Sequence, residues 1–292
     1  LKMDKINFET LNIEYYENVN LSDYCTWKSG CNVPYIFYPK NINELKTLLN
    51  LKCKKYIIGN GSNTLFISLK NTIVISTKKM KSIIFEGEIL KVECGASLSL
   101  VMSKCLNNGL TGFEFSTGIP GTIGGALITN AGANGGTISD NLISVSILDK
   151  NKEVELLKEE IKFEYRKSSI TQNQIIIGAK FKLVKGDVLQ AKKNINLYLK
   201  HRNETQPVKL PSAGSVFRNP LPKFAGKIIE ELGLKGLSEG DAQVSELHAN
   251  YIVNKGKANP NEIFQLIEKV REKVLQKKGI KLLNEVKIVN EK

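Results

Sequence analysis

Residues 109–136, GLTGFEFSTGIPGTIGGALITNAGANGG, hold nine of the chain's 23 glycines. A stretch this poor in side chains cannot build a core of its own. It reads as a loop whose backbone comes close to something, because glycine alone offers no Cβ to hold a neighbour away. Within it, Gly118-Ile119-Pro120-Gly121-Thr122-Ile123-Gly124-Gly125-Ala126 spaces glycines three residues apart, and Asn130-Ala131-Gly132-Ala133-Asn134-Gly135-Gly136 follows.

A smaller glycine turn, Gly59-Asn60-Gly61-Ser62-Asn63, follows the strand-like KKYII. The dinucleotide fingerprint G-x-G-x-x-G fails here, because position 64 is Thr and Leu65–Ser68 reads as strand where a helix should start. No G-x-x-x-x-G-K-[ST] run exists either, so there is no P-loop. What survives is an ordinary β-turn or a nest of N–H groups, with Ser and Asn side chains, suited to a pyrophosphate. Two glycine loops without Lys or Asp suggest a large, flat ligand held mainly by backbone. A flavin dinucleotide fits that better than ATP with Mg²⁺, which would want carboxylates.

Elsewhere the patterns are regular. Residues 41–52 read as a helix with Asn41 as N-cap and Glu44 three residues on. Short strands follow at 73–76, 82–87 and 89–95, then a helix over 96–108 closed by Gly109. ISVSILD (143–149), a turn at 150–152 and VELL (154–157) precede the alternating strand 174–184 and a helix over 187–202. NETQPVKLPSAGSVFRNP reads as a connector that brings Lys, Ser, Arg and Asn together. KFAGKIIEELGLKG is a short helix ended by glycine, and HANYIVNKG a strand. Asn259 and Pro260 open a helix over 260–278 with Ile263, Ile267, Val270 and Val274 as its buried stripe. IKLLNEVKIV is the last strand. Strands dominate first and then mix with helices, which is α+β organisation.

Composition removes other classes. The chain of 292 residues suggests about two domains on a prior of roughly 150 residues each. No apolar run approaches the ~20 residues that span a bilayer. The opening LKMDKINFETLNIEYYENV is too mixed and acidic for a secretory signal. Five Cys without a C-x-x-C pair point to a reducing cytoplasm, and two distant His (His201, His248) leave no zinc site. The net charge of +13 comes from Lys scattered along the whole chain, without clustered aromatics, which disfavours a nucleic-acid binder. Arg occurs only at 166, 202, 218 and 271, so an Arg here marks a place where a planar, permanent charge is wanted.

The order IIGNGSNTLF, FEFSTGIPGTIGGALITNAGANGG, Tyr165-Arg166-Lys167-Ser168-Ser169, LPSAGSVFRNP, HANYIVNKGKA and NEVKIV resembles the UDP-N-acetylenolpyruvoylglucosamine reductases, from about residue 20 to the end. The short link between Arg166 and PSAGS resembles the family's shorter type, which lacks a tyrosine loop. The resemblance implies an FAD-binding fold of the vanillyl-alcohol oxidase type. Two FAD-binding subdomains (1–77 and 78–202) would precede an α+β substrate domain (203–292), with the final strand 284–292 packing back near the first. It implies non-covalent FAD, NADPH as co-substrate, a UDP-sugar substrate and a cytoplasmic, bacterial, monomeric enzyme of peptidoglycan precursor synthesis. No His suited to covalent flavin attachment lies in either glycine loop. The alternative within the fold is a sugar or alcohol oxidase or dehydrogenase.

Carried over by motif, Arg166 would hold and stabilise the substrate carboxylate, Ser215 would donate the proton, and Glu285 would sit beside the carboxylate. Gly59, Asn60, Gly61, Ser62 and Asn63 would contact the FAD pyrophosphate. Ser116, Gly118, Ile119, Pro120, Gly121, Thr122, Gly124, Gly125, Ala126, Asn130 and Gly132 would cover the rest of the dinucleotide. Tyr165, Lys209 and Asn219 resemble substrate-binding positions. Gln243, His248 and Tyr251 fall in the substrate domain, with His248 read as structural. One departure stands out: where the family has an aromatic, a basic residue and a Gly-Gly-Pro-Ala-like run, this chain has Trp27-Lys28-Ser29-Gly30-Cys31-Asn32-Val33.

Overall fold

The computed structural model describes residues 8–171 and 173–291. The first seven residues of the expected first subdomain, and Lys292 of the expected last strand, lie outside the described residues. Among the described residues six α-helices form: α1 (Ile42–Asn50), α2 (Leu98–Asn107), α3 (Ile123–Ile128), α4 (Val188–Thr205), α5 (Ala225–Glu231) and α6 (Pro260–Lys278). Their ends follow the sequence signals. Asn41 accepts from Glu44 N at 3.0 Å, which satisfies one of the orphan donors that open α1, and Glu44 accepts from Lys40 N at 2.8 Å. Asn259 and Glu262 make the reciprocal pair at α6, and left-handed Gly279 closes it.

Contacts divide the chain into two units. Unit 1 takes 1–17, 35–60 and 71–200, and unit 2 takes 18–34, 61–70 and 201–292. In unit 1 a five-stranded antiparallel sheet runs in the order Lys152–Leu157, Leu142–Asp149, Gln174–Lys182, Ile89–Glu93, Ile83–Glu86. Lys54–Ile58 and Tyr35–Phe37 pair in parallel on either side of Thr72–Ser76. One apolar core joins these layers, from Phe37, Leu45 and Ile73 to Val101, Ile123, Val145 and Phe181.

In unit 2 an antiparallel sheet runs Ser212–Ser215, Tyr251–Asn254, Ala242–Val244, Ser238–Glu239. Thr64–Ser68 pairs in parallel with Lys287–Asn290, the last strand. So the two strands flanking the Gly59–Asn63 turn do not form a hairpin. One belongs to each unit, and the chain crosses between units at Asn60–Gly61. All four residues of the expected stripe on α6, plus Leu266, are buried. Trp27 is fully buried in this unit and donates Nε1–H to Ile252 O at 2.7 Å. Asn254 Nδ2 returns a bond to Trp27 O at 3.0 Å. Segment 18–34 is thereby tied into a sheet more than two hundred residues away. That long-range pairing joins stretches that lie far apart in the sequence. Among the described residues, no helix is long and apolar enough to cross a membrane.

Candidate active site

The glycine-rich stretch is more structured than a loop. It holds a 3-10 turn at Glu114–Ser116, the six-residue α3, and two short paired strands, Gly132–Ala133 and Gly136–Thr137. Several glycines are there because the protein's own side chains are close. A Cβ on Gly59 would overlap Thr122 Oγ1, one on Gly124 would stand 3.0 Å from Cys94 Cβ, and one on Gly136 would stand 2.8 Å from Phe115 Cβ. Asn60 Nδ2 donates to Pro120 O at 2.6 Å, so the two glycine segments meet directly within unit 1. Main-chain bonds seat the second on the core: Gly124 N to Cys94 O at 2.8 Å and Ile123 N to Ala96 O at 2.9 Å.

What these bonds leave over is a donor set. Among the described residues, the N–H groups of Asn60, Gly61, Ser62, Gly118 and Gly121 find no acceptor. Gly125 is exposed, with only Thr122 Oγ1 near the position of a Cβ, at 3.6 Å. Asn130 Oδ1 is buried without a partner, while its Nδ2 donates to Glu164 O at 3.2 Å. Residues 59–63 and 115–136 contain no carboxylate. Uncharged donors left without a protein acceptor suit a diphosphate and a flat ring system, so these residues fit FAD.

Some expected contacts are not made by the side chains named. Ser116 is 1% exposed and donates to Phe113 O at 2.7 Å, which closes its hydroxyl to a ligand. Thr122 is buried and its hydroxyl caps α3. Asn63 gives its amide to Glu285 O at 3.1 Å and its carbonyl to Lys287 N at 2.9 Å, so it holds the last strand in place.

Arg166 occupies the two-residue turn between Phe163–Glu164 and Lys167–Ser168, at φ 56°. Its Nη1 donates to Gly132 O at 2.8 Å, and its guanidinium lies 5.6 Å from the centre of the Tyr165 ring. Tyr165 is 45% exposed. In unit 1 the structure therefore joins Arg166 to the glycine hairpin expected at the cofactor.

In unit 2 it joins Ser215 to Glu285. Gly214, at φ 76°, breaks the register of Ser212–Ser215 against Tyr251–Asn254, and Ser215 stands opposite Tyr251. The next residue, Val216, donates its N–H to Asn250 O at 2.8 Å and accepts from Glu285 N at 2.8 Å. Asn250 then brackets Phe217: Oδ1 accepts from Phe217 N at 3.0 Å and Nδ2 donates to Phe217 O at 2.8 Å. The segment carrying Ser215 is thus strapped from both sides. Of the substrate candidates, Lys209 is exposed in the connector, and Asn219 spends its Oδ1 on Ala225 N at 3.0 Å to start α5.

A model of the UDP-N-acetylenolpyruvoylglucosamine reductase C-terminal domain matches residues 206–289, and an FAD binding domain model matches 33–157. The reductase of that name from Prochlorococcus marinus (MED4) is 43% identical over 95% of this chain and 98% of its own. The one from Clostridium novyi is 39% identical over 95% and 93%. The crystal structure of the Thermus caldophilus reductase superposes with a TM-score of 0.84 at 30% identity, covering 96% of this chain and 99% of that one. The chain belongs to the UDP-N-acetylenolpyruvoylglucosamine reductase family. Within this reductase family the α+β fold has an FAD-binding part followed by the family's own C-terminal domain. Ser215 and Glu285 fall inside that C-terminal stretch, and the two glycine segments inside the FAD-binding one. Arg166 lies outside both matched stretches.

Residues the sequence did not single out include Asn250, the strap just described, and Gln206, whose Oε1 accepts from Tyr251 Oη at 2.8 Å. An Asn in HANYIV gives no sign of its partners, since Phe217 is 33 residues away. His248 is structural, as read: burial lowers its pKa, and neutral Nδ1 accepts from Asn250 N at 3.2 Å. Cys31 is partly covered, and burial raises its pKa, which disfavours a reactive thiolate.

Proposed function

We propose that the protein is an FAD-containing, NADPH-dependent UDP-N-acetylmuramate dehydrogenase, reducing the enolpyruvyl ether of UDP-N-acetylglucosamine enolpyruvate for peptidoglycan precursor synthesis. The observation that carries this reading is the strapped segment 215–218, with Val216 bonded to Glu285, in a chain that belongs to the reductase family throughout. FAD would be held by Gly59–Asn63, Gly118–Ala126, Asn130 and Gly132, chiefly through the uncommitted N–H groups of Asn60, Gly61, Ser62, Gly118 and Gly121. When bound and reduced by NADPH, it supplies hydride to the methylene carbon of the enolpyruvyl group.

The chain's own residues meet the rest of the chemistry. Hydride addition pushes negative charge toward the substrate carboxylate. Arg166, whose permanent charge is anchored at Nη1 on Gly132 O, stabilises that charge. The adjacent carbon needs a proton, and Ser215 Oγ–H delivers it. Serine is a weak acid, so the step depends on how firmly Ser215 is placed. Gly214, Asn250 and the Glu285 segment fix its backbone. Glu285 sits beside the substrate carboxylate and shares its proton network. Tyr165 and Lys209 complete the proposed contacts, and Asn219 contributes by its amide N–H₂ with Oδ1 already engaged. The enzyme works as a cytoplasmic monomer.

The purified protein should be yellow and should oxidise NADPH only with the enolpyruvyl sugar. Ser215→Ala should leave flavin bleaching by NADPH near wild type and slow reoxidation by substrate about 10²–10⁴-fold, the usual contribution of a positioned acid. Equal slowing of both half-reactions would reject the proton-donor role. A colourless protein that takes up no FAD would reject the whole reading.

A further inference from the structure

The four arginines are not used alike. Arg166 donates to Gly132 O at 2.8 Å, and Arg271 pairs with Glu268 and donates to Asn284 Oδ1 at 2.6 Å. Arg202 lies in the last turn of α4, where a cation complements the carbonyl end. Arg218 has no such employment. Its Nε is buried and meets no hydrogen-bond partner among the described residues. Its backbone is engaged, N–H to Leu283 O at 2.9 Å. A buried donor without an acceptor is uncommon in folded proteins and costs stability, so its retention asks for an acceptor from outside the chain.

The place of Arg218 says what that acceptor is. It stands three residues after Ser215 on the strapped segment. Phe217 bridges Asn284 antiparallel, which sets Arg218 across from Leu283 and Val216 across from Glu285. Main-chain bonds from Glu285 N to Val216 O and from Arg218 N to Leu283 O thus hold Arg218 and Glu285 on adjoining segments. A guanidinium there, uncommitted to protein carboxylates among the described residues, matches an oxyanion in a two-pronged way that Lys cannot.

We propose that Arg218 is a substrate-binding residue, the seat of an anionic oxygen group of the UDP-sugar, either a phosphate or the enolpyruvyl carboxylate. This rests on the reductase reading of the same site. The test uses the FAD-loaded enzyme without NADPH, titrated calorimetrically with UDP, UDP-N-acetylglucosamine and the enolpyruvyl substrate. Arg218→Gln should weaken binding about 10- to 100-fold, the loss typical of one charge-assisted hydrogen-bonded contact, and Arg218→Lys should recover part of it. A loss already present with UDP identifies the phosphate, and a loss confined to the enolpyruvyl substrate identifies the carboxylate. Because Arg218 has no side-chain partner to lose, Arg218→Gln should melt within about 2 °C of wild type. Binding of all three ligands within twofold of wild type overturns the proposal. So does weakened binding that tracks a lowered melting temperature in both variants. If wild-type enzyme binds none of the three, the reductase reading itself falls, and this inference with it.

Discussion

Asn250→Ala should cut deeper into the stability of unit 2 than an ordinary polar truncation. Asn250 is 4% exposed, and its amide is the hydrogen-bond partner of both Phe217 N and Phe217 O. Phe217 is itself 1% exposed, so water cannot replace what is lost. The substitution strands two buried main-chain groups at about 1–3 kcal/mol each. The sum, about 2–6 kcal/mol, is a large part of a typical stability of about 5–15 kcal/mol. Asn250→Asp keeps the acceptor for Phe217 N–H but turns an oxygen toward Phe217 O, and should recover no more than about half. The chain's single Trp offers the assay, because Trp27 is fully buried in the same unit and bonded to Ile252, two residues beyond Asn250. Urea unfolding followed by Trp27 fluorescence should show a lower midpoint at unchanged slope. A destabilisation below about 1 kcal/mol would mean that Phe217 finds other partners, and the strap argument would fail.

Gly61→Ala should destabilise unit 2 by more than about 2 kcal/mol. Its φ is 60°, and a Cβ there would overlap the Tyr24 carbonyl oxygen, so neither torsion nor space admits it; calorimetry showing an unchanged melting temperature would contradict this. His248 should make stability fall on the acid side. Burial lowers its folded pKa below 6.5, so the unfolded chain binds the proton first. The contribution is complete above about pH 6.5 and declines as pH drops toward the folded value. His248→Gln should flatten that slope in melts between about pH 7 and 5, and an unchanged slope would show that another group carries it. Cys94 and Cys105, both buried and with pKa pushed up to about 12, should resist a thiol reagent at pH 8 until the protein unfolds. Their modification at the rate of Cys31 or Cys53 in native enzyme would refute the burial.

Local signals were legible because their physics is local. The Asn41 and Asn259 caps, the α6 stripe and the strand at Gln174–Lys182 each depend on residues within a turn or an alternation of one another. Even the turn at Lys150-Asn151 shows in the backbone, with φ 47° and 63°, as a tight antiparallel hairpin wants. The units were not legible in the same way. Thr64–Ser68 looks like the second arm of a hairpin begun at Lys54–Ile58, yet its partner is Lys287–Asn290. Nothing within five residues distinguishes a strand that folds back from one that waits for the C-terminus.

The same distinction separates the site residues. Motif spacing singles out Ser215, Glu285 and Arg166 as candidates, but motif spacing is silent on whether a side chain faces a ligand or its own backbone. Asn63 and Asn219 carry amides that look equally suited to phosphate, and in the fold each amide has a main-chain partner: Glu285 O for one, Ala225 N for the other. Arg218 shows the converse. In the sequence it stands out as a rare arginine in the connector, and its interest comes from the partner that Nε lacks. Hydrogen-bond satisfaction is a property of the folded neighbourhood, so it sorts residues that sequence treats alike. Where the chain supplies a partner, as for Ser116 and Phe113 O, the polar group belongs to the scaffold. Where the chain supplies none, as for Asn130 Oδ1 and the N–H groups of Asn60, Gly61 and Ser62, the group is available to a ligand. Among the described residues such groups include Asn60 N–H and Asn130 Oδ1 in unit 1, and Gly61 N–H, Ser62 N–H and Arg218 Nε in unit 2, the uncommitted polarity on which the proposed dinucleotide and anionic sugar would draw.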